Sequence, residues 1–245
     1  LACITLAVIL ERIVSQQLTR DIYQRMRLIA ENRAQEVESA TLDALRTTNA
    51  LGGTTSISEG LDQLTQAAGT KCCSKAYADV AKRWTERYSY LTEASGFEDM
   101  MLVSPLGSVV FSLHGVMPAG TNLYDARWQL TDLSRTFDRT RTLLQPDISD
   151  YGFYPGWDTP AMFVAAPVVS NGSLRGVLIF KADAPELLSP LNSQQQRLGK
   201  TGEVIAGVAR EGQAIIVTRL RSQARAPFEV RIPIDPNQIY QGLLA

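Results

Sequence analysis

The first 51 residues contain no glycine and no proline, although the chain as a whole has 17 of one and 11 of the other. Both residue types interrupt helices, glycine through its backbone freedom and proline through its missing N–H and its ring. The stretch up to Leu51 is therefore predicted as one continuous helix, about 75 Å long at 1.5 Å per residue. Its start, Leu-Ala-Cys-Ile-Thr-Leu-Ala-Val-Ile-Leu, carries no charge. A bilayer span needs about 20 such residues, so this segment alone is too short to cross. Residues 1–14 are read as the end of a transmembrane helix, against the alternative of a core helix apolar all round. Residues 15–51 are read as an amphipathic rod. Leu18, Ile22, Met26, Ile29, Val37 and Ala44 share an arc roughly 100° wide, interrupted by Arg33 and Glu36. Such a rod can hold a domain above a membrane, pair with a second copy and transmit small shifts. A long packing helix without that role is the alternative. Arg12, Arg20, Arg25, Arg27 and Arg33 flank the apolar segment, which by the positive-inside tendency favours the cytoplasm. That tendency weakens for large translocated domains, and an extracytoplasmic body is expected here.

Length and composition exclude several function classes. With 245 residues, 45% hydrophobic and 20% charged, one or two folded domains are expected. The 24 Lys plus Arg against 25 Asp plus Glu leave no basic excess for nucleic acid. Cys3, Cys72 and Cys73 form neither a disulfide framework nor a zinc pattern, and the adjacent pair reads as thiols without redox meaning. His114 is the only histidine, which removes Ser-His-Asp, Cys-His and multi-histidine metal designs unless it serves alone. No Gly-x-Ser-x-Gly elbow is present. Gly199-Lys200-Thr201 resembles the end of a phosphate-binding loop, but Gln194 stands where the first glycine belongs. Neither an enzyme, nor a metal, nor a cofactor is expected.

After Gly52 and Gly53, residues 54–72 read as polar loop with a short helix, and residues 74–94 as a helix whose Tyr77, Val80, Trp84, Tyr88 and Leu91 share a face. At Gly96 the period changes. Met100–Val103 and Ser108–Leu113 flank Ser104-Pro105-Leu106-Gly107, a hairpin. Residues 122–142 read as a helical crossover. Phe163–Val169 and Leu174–Phe180 flank Asn171-Gly172, a second hairpin; the turn explains these residues better than the glycosylation sequon they form with Ser173. Residues 184–197 read as a polar helix or linker. A smaller set follows, with strands near 204–208, 214–217 and 228–232, and reads as cut short at Ala245.

This order resembles the double Cache (periplasmic PAS-like) sensor domains of bacterial histidine kinases, chemoreceptors and cyclases. The resemblance rests on Met101–Phe111, Gly120-Thr121-Asn122-Leu123, Ala161–Val168, Gly172–Asp183 and Leu198-Gly199-Lys200-Thr201-Gly202-Glu203. It implies an α+β fold: a long amino-terminal helix followed by two PAS-like antiparallel sheets, the second truncated. Residues 52–185 would be the membrane-distal module, and residues 186–245 a linker with part of the membrane-proximal one. It further implies a small-molecule pocket in the distal module, a homodimer through the long helix, attachment to the bacterial inner membrane, and a cytoplasmic output region further on. The chain departs from the pattern at Ser104 and Leu106, where acidic residues are common in the family. It departs again at Gln129, where the amino-acid-binding branch has tyrosine after Arg127 and Trp128.

The richest segment chemically is Asp147–Asp158, with three acids and four aromatics. Aromatic walls with a few polar groups suit a small ligand. Arg127 could hold a carboxylate bidentately, and the acids an amine. The candidate ligand-binding residues are Arg127, Trp128, Asp150, Tyr151, Tyr154, Phe163 and Asp183; the bland alternative is a structural loop capping the sheet, with Asp183 capping the next helix. His114, after a strand, is expected to face solvent. The expected function is extracytoplasmic small-molecule sensing in a signalling receptor; the alternative is an anchored accessory subunit that keeps the fold without a ligand.

Overall fold

The computed structural model describes residues 2–70, 74–183, 187–192, 204–210, 212–218 and 227–234. Cys72, Cys73 and the Leu198–Glu203 motif lie outside them. The chain divides into two units, Ala40–Leu187 and a second made of Leu1–Ser39 with Leu188–Ala245.

Helix α1 (Ala2–Gly52) is continuous, as the absence of breakers predicts. Its stripe is divided in character. Leu18, Ile22 and Met26 are exposed, whereas Ile29, Val37 and Ala44 are half-buried. Arg33 and Glu36, which interrupt the arc, pair with each other at 2.6 Å. Helix α2 (Thr55–Thr70) occupies the stretch expected to be mostly loop. Its apolar residues are few, but Ile57, Leu61 and Leu64 fall at helical spacing and are completely buried; tertiary burial outweighs the polar composition. Helix α3 (Lys75–Ala94) starts at Ser74, whose Oγ accepts the backbone N–H of Tyr77.

Unit Ala40–Leu187 is built on a five-stranded antiparallel sheet: β1 (Phe97–Val103), β2 (Val109–Ser112), β3 (Asp147–Ile148), β4 (Phe163–Ser170) and β5 (Ser173–Ala182). The spatial order is β2-β1-β5-β4-β3, so the first and last strands pair at the centre. Asn171 and Gly172 both take positive φ, 53° and 72°, which is the type I′ geometry their sequence predicts. Pro167 sits inside β4 yet costs no ladder bond to β3, because β3 pairs only with Ala165 and Val164. The crossover differs from expectation. Residues 122–131 form turns, and helix α4 runs only from Asp132 to Leu143, capped by the Thr131 hydroxyl. β3 is an additional edge strand inside the segment assigned to the ligand loop.

Alternation gives the sheet two buried faces. On one, Met100, Leu102, Val164, Leu178 and Phe180 meet Ile57, Leu61 and Leu64 of α2, Trp84 and Tyr88 of α3, and Ala44, Leu45 and Leu51 at the end of α1. Trp84 stacks on Tyr88 with centroids 5.2 Å apart, and Tyr88 meets Phe111 edge-on. On the other, Met101, Val103, Phe163, Ala165, Val177 and Ile179 are covered by Leu133 and Phe137 of α4 and by side chains of the connecting segments.

A second, three-stranded antiparallel sheet, β6 (Gly207–Arg210), β7 (Gln213–Ile216) and β8 (Arg231–Pro233), has the order β6-β7-β8. Its strands lie within a few residues of those expected. Within the second unit, Ser189–Asn192 forms a single helical turn; most of the predicted linker lies outside the described residues.

Gly60 shows how closely α2 and α3 approach. A Cβ there would stand 1.8 Å from the Tyr88 hydroxyl, while a Cβ on Gly69 in the same helix would meet nothing. Gly60→Ala should lower unfolding stability by about 1–3 kcal/mol through overpacking. Gly69→Ala should be neutral or stabilising by up to about 1 kcal/mol, as expected for alanine in a helix. Urea unfolding followed by circular dichroism measures both.

Candidate functional site

The helix-covered face is closed by long elements whose contacts are mainly apolar, with the Tyr77 hydroxyl donating to the Val110 carbonyl of β2. The other face is covered by short segments, and the sequence-predicted residues fall there. Residues 120–123 run along β2: the N–H of Val109 donates to the Thr121 carbonyl and that of Gly120 to the Val109 carbonyl, both at 2.8 Å. The Asn122 side chain accepts the Tyr124 N–H and donates to Ser108 Oγ, so the Gly120–Leu123 motif fixes where the following turns begin. Those turns place Trp128 inward and nearly fully buried, with Arg127 exposed and its guanidinium carbon 5.4 Å from the Trp128 ring centre.

From the opposite side, the segment after β3 folds over the same face. Ser149 is buried; its Oγ accepts the Phe163 N–H at 2.9 Å and lies 3.0 Å from the Tyr154 hydroxyl, which donates to the Asp150 carbonyl at 2.6 Å. Tyr154 and Trp157 both meet the Phe163 ring edge-on, at 4.9 and 5.0 Å, and Trp157 meets Trp128 at 6.1 Å. Phe163 is thus the centre of a four-ring cluster. Trp128, Tyr154 and Phe163 belong together as the sequence suggested, and Trp157 completes them. The rings are packed against one another.

The cluster gives way to ionisable groups at the β1 and β5 end of the face. In register, Asp99 stands opposite Lys181, and Lys181 opposite Phe163, so these three share one row across the sheet. Asp99 is 3% exposed. Its Oδ1 accepts the backbone N–H groups of Met100 (2.7 Å) and His114 (3.2 Å) and lies 3.1 Å from His114 Nδ1. The His114 side chain is 60% exposed, so it does face solvent in part, but it is also tied to a buried carboxylate. Lys181 is paired with Glu98. Burial lowers the Lys181 pKa below its ordinary value, and the charge of Asp183 opposes that shift. Burial raises the Tyr151 pKa, with Asp183 adding to the effect. Tyr151 and Asp183 are therefore electrostatic neighbours, both half-buried, beside Lys181. Asp150 is exposed and held by its backbone N–H to Asp132 on α4.

The predicted residues thus separate into three groups: Trp128, Tyr154 and Phe163 in the ring cluster; Tyr151 and Asp183 in the polar end; Arg127 and Asp150 on the outer surface. Sequence reasoning missed Asp99 and Lys181. Alternation could have found them, since Asp99 shares the parity of Met101 and Val103, and Lys181 that of Val177 and Ile179, all of which face inward. Among the described residues, no group of three or more His, Cys, Asp or Glu could hold a metal ion.

No protein-family model matches the sequence, and no curated protein matches it. Solved structures do match in fold. The sensor domain of the Vibrio cholerae histidine kinase DctB superposes with a TM-score of 0.51 at 13% identity, covering 71% of this chain and 61% of that one. The sensory domain of the Campylobacter jejuni chemoreceptor Tlp3 gives 0.48 at 9% identity, covering 73% and 67%. The Escherichia coli DcuS sensor domain gives 0.43 at 12% identity, covering 65% and 99%. The chain spans about three-fifths of the DctB structure's length. The fold is shared with the DctB sensor domain.

Tyr124, in the turns that cover this face, gives a pH-dependent check. Its hydroxyl donates to Asp138 on α4 at 2.6 Å. Burial first, then this bond and the Asp138 charge, push its pKa up to about 12. A raised tyrosine pKa contributes stability that is complete below the unfolded value of about 10 and is lost as pH rises through the folded one. The loss of stability between pH 10 and 12 should therefore be smaller in Tyr124→Phe than in the parent, measured by urea unfolding across that range.

Proposed function

We propose that this chain is the extracytoplasmic sensor domain of a membrane-anchored bacterial signalling receptor, and that it binds a small molecule on the aromatic face of unit Ala40–Leu187. The observation that carries this reading is the asymmetry of the two faces. One is committed to three helices, while the other joins a ring cluster to partly buried ionisable groups: Lys181, Asp183 and Tyr151, with Arg127 at the rim. Aromatic walls with a few convergent polar groups are what small-ligand sites use. The fold shared with a histidine-kinase sensor domain supports the same reading.

In this reading Arg127 and Asp183 hold charged ends of the ligand, Trp128, Tyr154 and Phe163 bound its carbon skeleton, and Asp150 and Tyr151 lie at the entrance. Residues 52–185 are the distal module and residues 186–245 part of a proximal one. Residues 1–14 attach to the membrane as the end of a span; among the described residues no helix is long and apolar enough to cross one. The exposed Leu18, Ile22 and Met26 of α1 are the surface through which two copies pair. Ligand binding then biases two arrangements of the paired helices.

One observation favours a second reading, an accessory subunit without a ligand: the ring cluster is closed by its own side chains, with Phe163 fully buried. A thermal-shift screen of small carboxylates, amines and zwitterions separates the two. A sensor gains about 2.7 kcal/mol at a ligand concentration 100 times Kd, or roughly 5–10 °C in Tm for a unit of this size. Arg127→Ala or Asp183→Asn should abolish that gain. No gain from any compound, together with isolation in a stable hetero-complex, would establish the second reading instead.

A further inference from the structure

Asp99 has a feature that core packing leaves unexplained. Its Oδ1 collects two backbone N–H groups and the His114 imidazole, yet its equally buried Oδ2 has no hydrogen-bond partner among the described residues. A buried, unpaired carboxylate oxygen is costly, and where it persists in a folded protein something normally completes it. Resting on the reading of this face as a ligand site, we propose that Asp99 Oδ2 accepts the ammonium group of a small amine ligand.

Position, charge and donor chemistry all support this assignment. Asp99 lies on the aromatic face, in the same row as Lys181 and Phe163, so an amine held there directs its carbon skeleton toward the ring cluster. The carboxylate is fixed before any ligand arrives, because three nitrogen groups hold its other oxygen. Glu98, Asp99 and Asp183 supply three negative charges against one positive charge on Lys181, a balance of −2 that favours a cation. A metal ion fits poorly, since hard cations take six to eight oxygen ligands and no group of three or more suitable side chains stands here among the described residues. An ammonium group needs only acceptors for its N–H groups and is compatible with aromatic neighbours. His114 acts as a positioning residue: its imidazole and its backbone N–H both orient the carboxylate.

Calorimetric titration of the chain with isobutylamine and with isobutyrate, which share a carbon skeleton and differ in charge, tests this. Isobutylamine should bind with Kd on the order of millimolar, and isobutyrate should not bind. Asp99→Asn should weaken the amine at least tenfold. Asp62→Asn, which removes the same charge from the exposed face of α2, should leave it unchanged. Asparagine keeps Oδ1 for its three donors, and circular dichroism with urea unfolding of ligand-free Asp99→Asn checks that the fold is retained; loss of binding in the folded variant is then not loss of fold. Binding of isobutyrate alone, binding of neither compound, or undiminished amine binding by Asp99→Asn would each overturn the assignment. None of the three bears on the sensor reading, which stands or falls with the thermal-shift screen.

Discussion

The antiparallel pairing of β1 with β5 is the contact on which the rest of unit Ala40–Leu187 depends. It joins strands about 80 residues apart in sequence and places them at the centre of the sheet, each with a neighbour on its other side. Because side chains alternate, fixing this register decides at once which residues face the helices and which face the short segments. Met100, Leu102, Leu178 and Phe180 go one way; Asp99, Met101, Val103, Val177, Ile179 and Lys181 go the other. A slip of one residue would exchange the two sets and bury Asp99 and Lys181 under α2 and α3. The register is therefore held by hydrophobic burial on both faces, and the ionisable row is a consequence of it.

The two covers differ physically, and the difference links fold to function. The α1–α3 side is secured by long elements and tight approaches, including the contact of Gly52 with the Pro167 carbonyl and the seat of Gly60 against Tyr88. The other side is secured by side-chain anchors. Ser149 holds Tyr154, the Arg139–Asp147 ion pair ties α4 to β3, and Thr131 caps α4. Backbone bonds within the covering segment are few, chiefly the reciprocal pair between Gly152 and Ala161. Segments held this way open at lower free-energy cost than a sheet core. A packed ring cluster can then belong to a ligand site, with the covering segment moving to admit the ligand.

Much of this architecture was legible in the sequence. The long helix followed from the lack of glycine and proline, and both hairpins from their turn residues, Asn171-Gly172 above all. The order of elements pointed to the fold. Helix α2 was expected only as a short helix within a loop, because its three buried apolar side chains sit in a polar sequence, and only packing reveals its full length. β3 was missed because two residues carry no periodic signal. The start of α4 was placed too early because residues 122–131 contain neither glycine nor proline, while Asn122 and Asp125 bend the backbone into turns. Within the site, aromatic content identified Tyr154 and its neighbours. Asp99, Lys181 and His114 lie apart in sequence, and only the sheet register brings them to one end of the face.

One face of the sheet is closed by helices α1–α3, and the cover of the other should open independently of it. Native-state hydrogen exchange at increasing denaturant measures this directly. Amides in Met100–Val103 and Val164–Val168 should exchange only with global unfolding. Those of Gly152, Trp157 and Ala161 should exchange through a separate opening of clearly lower free energy, insensitive to denaturant. Equal protection of both sets, merging at the global unfolding free energy, would contradict it.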